Sequence, residues 1–266
     1  MAGVAPKAVK RENRAPKAVK RENRAPEAVM RENRAPKAVK RASRVKDGVE
    51  GARPSAGASV FSAACTLCPR LAAHLSEVRA EFPGYHARPV APFGSPQPHL
   101  LIVGLAPGMH GANRTGRPFT GDYAGLLLYE TLHRYGFANQ PEGADPHDGL
   151  ALIDCRITNA VKCLPPQNKP TPAEVKTCNI YLAQELAALP EKAAVLALGR
   201  IAHEAVLRAA GAKPADHVFA HRARHTLPGG RLLFDSYHCS RYNTQTRRLT
   251  AEMFREVFEE MRRALG

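Results

Sequence analysis

Four of the six cysteines are spaced as metal ligands could be. Cys65-x2-Cys68 precedes the first apolar run, while Cys163 and Cys178 lie 15 residues apart, one after a strand-like segment and one within a helical one. Four thiolates can close a tetrahedral site, but a zinc ribbon more often shows a second Cys-x2-Cys, so buried free thiols stand as the alternative. Cys155 lies inside an apolar segment and reads as core, because a free thiol packs as a small hydrophobe. A second concentration of chemistry is the loop from Gly104 to Asp122, GLAPGMHGANRTGRPFTGD, whose five glycines suit a backbone lying close to a phosphate or a ring. Neither the GxGxxG nor the GxxxxGK(S/T) spacing is present, which argues against a dinucleotide or triphosphate site. Three polar side chains stand where apolar elements end: Asp122 at the close of this loop, Asn159 at the end of one strand and His238 at the end of the last. Their plainer readings are a helix N-cap, a strand-end turn former and an ordinary lone histidine.

The elements that must position these groups follow from apolar runs. His99–Leu105, Leu150–Val161, Ala193–Leu198 and Leu232–Tyr237 read as strands, mostly too continuous in apolarity to have one wet face, hence buried in a mostly parallel sheet. Helices are predicted over 122–135, 172–188, 200–210 and 248–264, with an earlier one around Cys65–Ala80; Thr171–Pro172 supplies a cap and a first-turn proline. The expectation is an α/β fold, a single three-layer αβα domain over residues 55–266 with a four-stranded sheet. Ligands are then expected at the carboxyl ends of the strands.

Residues 1–54 hold 16 Lys/Arg against 6 Asp/Glu, a net +10 of the chain's formal +15. From Ala5 they repeat with period ten, as APKAVKRENR at 5–14 and 15–24, APEAVMRENR at 25–34 and APKAVKRASR at 35–44. A proline in every unit stops a helix from running between units, and each unit has little to bury, so a disordered basic arm is expected, followed by a linker from Gly51 to Ser59. Such an arm is either a duplicated low-complexity tail or a polycation that prolongs residence on nucleic acid by counterion release. No apolar run approaches the roughly 20 residues of a membrane helix, and no signal peptide is evident, so a cytoplasmic location with no membrane partner is expected.

The Gly104–Asp122 loop resembles the uracil-DNA glycosylase superfamily, most closely its type-5 branch, whose first motif runs GLAPAAHGGNRTGRMFTGD or nearly so. Two further segments agree in order and position, ITNAVKCLPPQNKPT (Ile157 to Thr171) and SYHCSRYNTQTRRLT (Ser236 to Thr250), so the resemblance covers about residues 60–264. It implies a 4Fe-4S cluster on Cys65, Cys68, Cys163 and Cys178. It further implies hydrolysis of the N-glycosidic bond of uracil in double-stranded DNA, with some tolerance for other deaminated bases such as hypoxanthine. That chemistry requires a base taken out of the stack, an oxocarbenium-like sugar and a departing base anion. By resemblance Phe119 is the aromatic floor, and Gly104 and His110 help bind the base. Asn159 reads its edge, His238 serves the leaving oxygen, and Asp122 positions water and faces the sugar cation.

Other branches of the superfamily carry a polar water-activating residue a few positions after the GL pair, where this chain has Pro107 and Gly108. Gly108-Met109 replaces Ala-Ala at the expected pocket mouth, and Cys239 stands where proline is frequent. Ser240, Arg241 and Tyr242 are placed to touch the backbone and wedge into the minor groove, and Arg114, Arg117, Arg247 and Arg248 are candidate phosphate contacts. Lys162 and Lys169 are the amines nearest in sequence for a lyase step, and nothing marks either as one. The expectation is therefore a monofunctional enzyme acting as a monomer. Its rivals are a uracil-only type-4 glycosylase and a non-catalytic, cluster-bearing DNA-binding protein.

Overall fold

A computed structural model describes residues 61–266. The expected basic arm and its linker lie outside the described residues. Helix α1 (Pro69–Glu81) leads into the sheet strands β1 (Phe93–Gly94) and β2 (Leu100–Gly104), after which come α2 (Ala112–Thr115) and α3 (Tyr123–Arg134). β3 (Cys155–Asn159), α4 (Pro172–Ala187), β4 (Ala194–Leu198) and α5 (Arg200–Ala209) form the middle of the chain. β5 (Arg224–Thr226), β6 (Leu232–Ser236), α6 (Arg241–Gln245) and α7 (Ala251–Leu265) complete it.

The strand order is β1-β3-β2-β4-β6-β5. The four central strands run parallel, with Leu100 paired to Cys155 on one side and Ala194 on the other, and Ala194 paired to Leu232. These are the four strands expected from the apolar runs. The sheet has six strands rather than four because β1 and β5 add short antiparallel edges. Two residues, Phe93–Gly94, and the polar triplet Arg224-His225-Thr226 are too short and too polar to show as apolar runs. The long run Leu150–Val161 yields a strand only from Cys155. Asp154 adopts φ +52°, which breaks extended backbone, and Leu152 instead forms an isolated bridge with Ala138.

Alternation along β2 divides the core. Leu100 and Ile102 meet α3 and α7 through Leu128, Leu132, Phe254 and Phe258, while Leu101 and Val103 meet α4 and α5 through Leu182, Leu186 and Val206. α7 presents Phe254, Val257, Phe258 and Met261 on one stripe, and Thr250 caps it by accepting from Met253 N at 3.1 Å. At α4, Thr171 and Glu174 form a reciprocal capping box with Pro172 in the first turn. A third cluster packs α1 against Val161, Leu164 and Tyr181, and the Arg70–Glu174 ion pair at 2.6 Å joins α1 to the start of α4. Among the described residues no helix is long and apolar enough to cross a membrane.

Candidate active site

A cavity of about 650 Å³ opens at the carboxyl ends of the central strands and is lined by Phe119, Asp122, Asn159 and His238 together with Gly108 and Ser240. Gly104 ends β2 directly opposite Asn159 in the β3 register. A Cβ on Gly104 would come 2.5 Å from Asn159 Oδ1 and 2.9 Å from Phe119 Cζ, so the missing side chain is what lets ring and amide meet over the strand end. Asn159 is buried, and its amide makes no hydrogen bond among the described residues, leaving it free for a ligand's polar edge.

Phe119 is only 6% exposed and holds φ +58°, a left-handed backbone that an aromatic residue adopts only where its surroundings impose it. Those surroundings include Gly125, where a Cβ would lie 2.0 Å from the Phe119 carbonyl oxygen. The Phe119 ring lies 5.8 Å from that of His238, inclined by 22°, so the two form a stacked wall. His238 follows β6 by two residues, and its backbone carbonyl accepts from Asn243 Nδ2 at 2.8 Å. Its Nδ1 is buried without a hydrogen-bond partner among the described residues, and burial lowers its pKa to about 4. The imidazole is therefore neutral at physiological pH.

Asp122 is the N-cap residue of α3 by backbone, yet its side chain makes no capping hydrogen bond. The carboxylate turns instead toward Ala112, whose N–H it accepts at 3.3 Å. Burial pushes its pKa up, opposed by the Ala112 N–H and the charges of Arg114 and His110. A half-buried carboxylate on the cavity wall, not spent on its own helix, is available to orient water or to face a cation.

Ser240 caps α6 by accepting from Asn243 N at 3.4 Å, which sets Arg241 and Tyr242 in the helix's first turn, with Arg241 on the cavity wall. Tyr242 is 71% exposed, and Arg241 lies 5.8 Å above the Tyr123 ring. Arg114, Arg247 and Arg248 are exposed, Arg248 lying 4.7 Å over Tyr237.

Two expected site residues stand elsewhere. Arg117 is no phosphate contact: it is 6% exposed, binds Asp148 through both terminal nitrogens at 2.9 and 2.7 Å, and donates to Thr120 at 2.6 Å. His110 does not line the cavity but faces outward, hydrogen-bonded to Tyr85 at 2.9 Å against Phe82. Of the Gly108-Met109 pair only Gly108 lines the cavity, since Met109 packs into the α1 cluster. Lys162 is 1% exposed and tied to Glu185 at 2.5 Å and to Thr158, which removes it as a lyase amine. Cys239 is a buried core thiol pushed up to about 12 by burial. Asn168, Arg200 and Ile201 also line the cavity and were not anticipated; they lie in the segments that follow β3 and β4, where the carboxyl-end rule would have directed attention.

Cys65, Cys68, Cys163 and Cys178 converge on one small apolar cavity beside Leu71 and Tyr181, and all four are free thiols. Burial and the neighbouring sulfurs push Cys163 up to about 12; burial, against the pull of Lys162, pushes Cys178 up to about 11. Burial thus disfavours the thiolate at Cys163 and Cys178, and a bound metal centre is what would draw off their protons. Cys155 stands apart, wholly buried in β3, as expected of core.

A sequence profile of the Uracil DNA glycosylase superfamily matches residues 91–262. A type-5 uracil-DNA glycosylase of Thermus thermophilus is 52% identical over 208 residues, covering 76% of this chain and 94% of the relative. One from Pyrobaculum aerophilum is 43% identical over 197 residues, covering 73% and 85%. A type-4 uracil-DNA glycosylase of the same archaeon aligns at 38% over 113 residues only, 42% of this chain and 50% of that one. A profile match spanning most of the domain, with type-5 relatives aligned over 85–94% of their own length, places this chain in the uracil-DNA glycosylase superfamily, in its type-5 branch.

Proposed function

We propose that this protein is a monofunctional DNA repair glycosylase that hydrolyses the N-glycosidic bond of uracil in double-stranded DNA and leaves an abasic site. The observation that carries the reading is the convergence of Phe119, Asn159, His238 and Asp122 on one cavity at the strand ends. The flipped base rests on the Phe119 ring, and the Asn159 amide pairs with its imide edge. As the bond between the sugar C1′ and the base nitrogen breaks, its electron pair leaves with the base, and the neutral His238 imidazole donates to the oxygen that gains the charge. The Asp122 carboxylate faces the resulting sugar cation and orients the water that adds to C1′, accepting its proton. Ser240, Arg241 and Tyr242 hold the backbone and fill the gap left in the duplex.

Cys65, Cys68, Cys163 and Cys178 would hold a 4Fe-4S cluster. Bound there, it supplies a structural crosslink between the segment before α1, the loop after β3 and helix α4. Tolerance for other deaminated bases such as hypoxanthine is favoured by the roughly 650 Å³ of the cavity.

The test is incubation of the purified protein, as a monomer, with duplexes carrying one uracil or one hypoxanthine, followed by assay of alkali-sensitive abasic sites. Release of free uracil is expected. Tight duplex binding with no abasic sites would instead identify a binding module.

A further inference from the structure

On the face of the sheet opposite Asp122, three ligand-type side chains meet that the glycosylase chemistry does not use. Asp235 of β6 is wholly buried and faces α5, where His203 is 2% exposed. His203 Nδ1 stands 2.8 Å from Asp235 Oδ1, and His225 Nε2, from edge strand β5, stands 3.0 Å from Oδ2. One nitrogen from each histidine and a carboxylate oxygen lie within 4.8 Å of one another. We propose that His203, His225 and Asp235 form a second metal site, separate from the cysteine quartet, that takes a divalent transition ion, Zn²⁺ by preference.

The donor set is two imidazoles and a carboxylate, which suits Zn²⁺ with the fourth position left to water. Bonds of about 2.0–2.2 Å to a tetrahedral ion would separate the ligand atoms by roughly 3.3 Å; the 2.8 and 3.0 Å contacts run to the two different oxygens of Asp235, and the three ligand atoms already lie within 4.8 Å of one another, so shifts of the two rings would bring them onto one ion. The outer contacts fit as well. His203 Nε2 lies 2.9 Å from the His217 carbonyl, the backbone acceptor that commonly orients a metal-bound imidazole. His203 has an acceptor at each ring nitrogen, the Asp235 carboxylate and the His217 carbonyl, so a metal taken at Nδ1 would leave Nε2–H donating to that carbonyl. His217 takes no direct part, since its own ring nitrogens meet the Lys213 and Thr226 carbonyls at 2.9 and 3.2 Å.

The position has a structural purpose. β5 is a three-residue, polar edge strand paired only with β6. An ion would staple it to β6 and α5, three residues upstream of His238.

The test uses the full chain with its cysteines intact, treated with EDTA and then titrated with Zn²⁺ or Co²⁺. Saturating Zn²⁺ should raise Tm by roughly 5–10 °C. Co²⁺ should give visible ligand-field bands of a tetrahedral nitrogen and oxygen site, without the intense thiolate charge-transfer absorption that the cysteines would produce. His225→Gln, at the more accessible ligand, should abolish both responses while uracil excision by the folded variant persists. Absence of the Co²⁺ bands and of the Tm shift in the unaltered protein overturns the proposal, as does an undiminished response in His225→Gln. Should that variant not fold, the Co²⁺ spectrum of the unaltered chain decides alone.

Discussion

A methyl group on Gly111 would lie 1.8 Å from Asp122 Oδ1, and one on Gly108 would lie 2.7 Å from the same atom. Two glycines of the loop thus form the recess that receives the carboxylate. Gly111→Ala must therefore displace Asp122, and a misplacement of about 1 Å costs a catalytic group on the order of 10²-fold. The single-turnover excision rate should fall by that factor while duplex affinity, set by phosphate contacts elsewhere, holds. An unchanged rate would show that the recess does not matter.

The pH profile follows from two shifts of opposite sign. Burial holds His238 neutral down to about pH 4, so no step in single-turnover rate is expected near the ordinary histidine value of about 6.5. Burial raises Asp122, so the acidic limb of the profile should lie above the ordinary carboxylate value of about 3.9. Rates measured from about pH 4 to about pH 8 check both. A limb at the ordinary histidine value would mean that His238 acts as the cation.

Arg117 and Arg241 should separate stability from DNA contact. Arg117→Met removes the guanidinium from Asp148, which keeps its bonds from the Asp145 and Leu150 N–H groups, and should destabilise the fold by roughly 1.5–3 kcal/mol, with the salt dependence of duplex binding unchanged. The Arg117 guanidinium holds the Asp148 carboxyl well below the usual range. A depressed folded pKa stabilises above the unfolded value and is lost as pH falls through the folded one, so the gap between unaltered protein and variant should narrow below about pH 4. Arg241→Ala should leave melting unchanged and reduce the salt slope by about one. Denaturant melts beside salt-dependent binding check the pair.

Protein purified without oxygen should be brown, with about four irons per chain. Serine at Cys65, Cys68, Cys163 or Cys178 should bleach and destabilise it, and serine at the wholly buried Cys155 should not bleach it. Stoichiometric zinc at the cysteines of a colourless, active protein would refute the cluster.

β2 and β4 were legible because each is buried on both faces and reads as a continuous apolar run, Leu100–Gly104 being the plainest case, while β3 and β6 showed only within longer runs that also hold Arg156, Asn159, Asp235 and Ser236. Phe93–Gly94 and Arg224–Thr226 were not legible, since pairing with a neighbour, and not their own pattern, makes them strands. Within the site, Phe119, Asp122, Asn159 and His238 were legible through the resemblance of whole motifs, and the cavity brings them together. Arg117 and His110 were misread for one physical reason: the partner that captures each is remote in sequence. Asp148 lies 31 residues after Arg117, and Tyr85 lies 25 before His110. The helix-cap reading of Asp122 could be settled only by the direction of its carboxylate.

The most direct measurement is single-turnover excision on a uracil duplex by Asp122→Asn and His238→Ala, each beside its melting temperature. Asp122→Asn should slow excision by a factor on the order of 10²–10⁴, and His238→Ala by about 10²–10³, with duplex affinity near normal in both. The raised pKa of Asp122 carries the stability sign: a group raised in the fold stabilises below its unfolded value and less so above, so at neutral pH an asparagine costs no stability. The account predicts a slow, undiminished-Tm Asp122→Asn. A fully active variant whose only defect is a loss of about 1 kcal/mol of stability, as a helix cap would give, would contradict it.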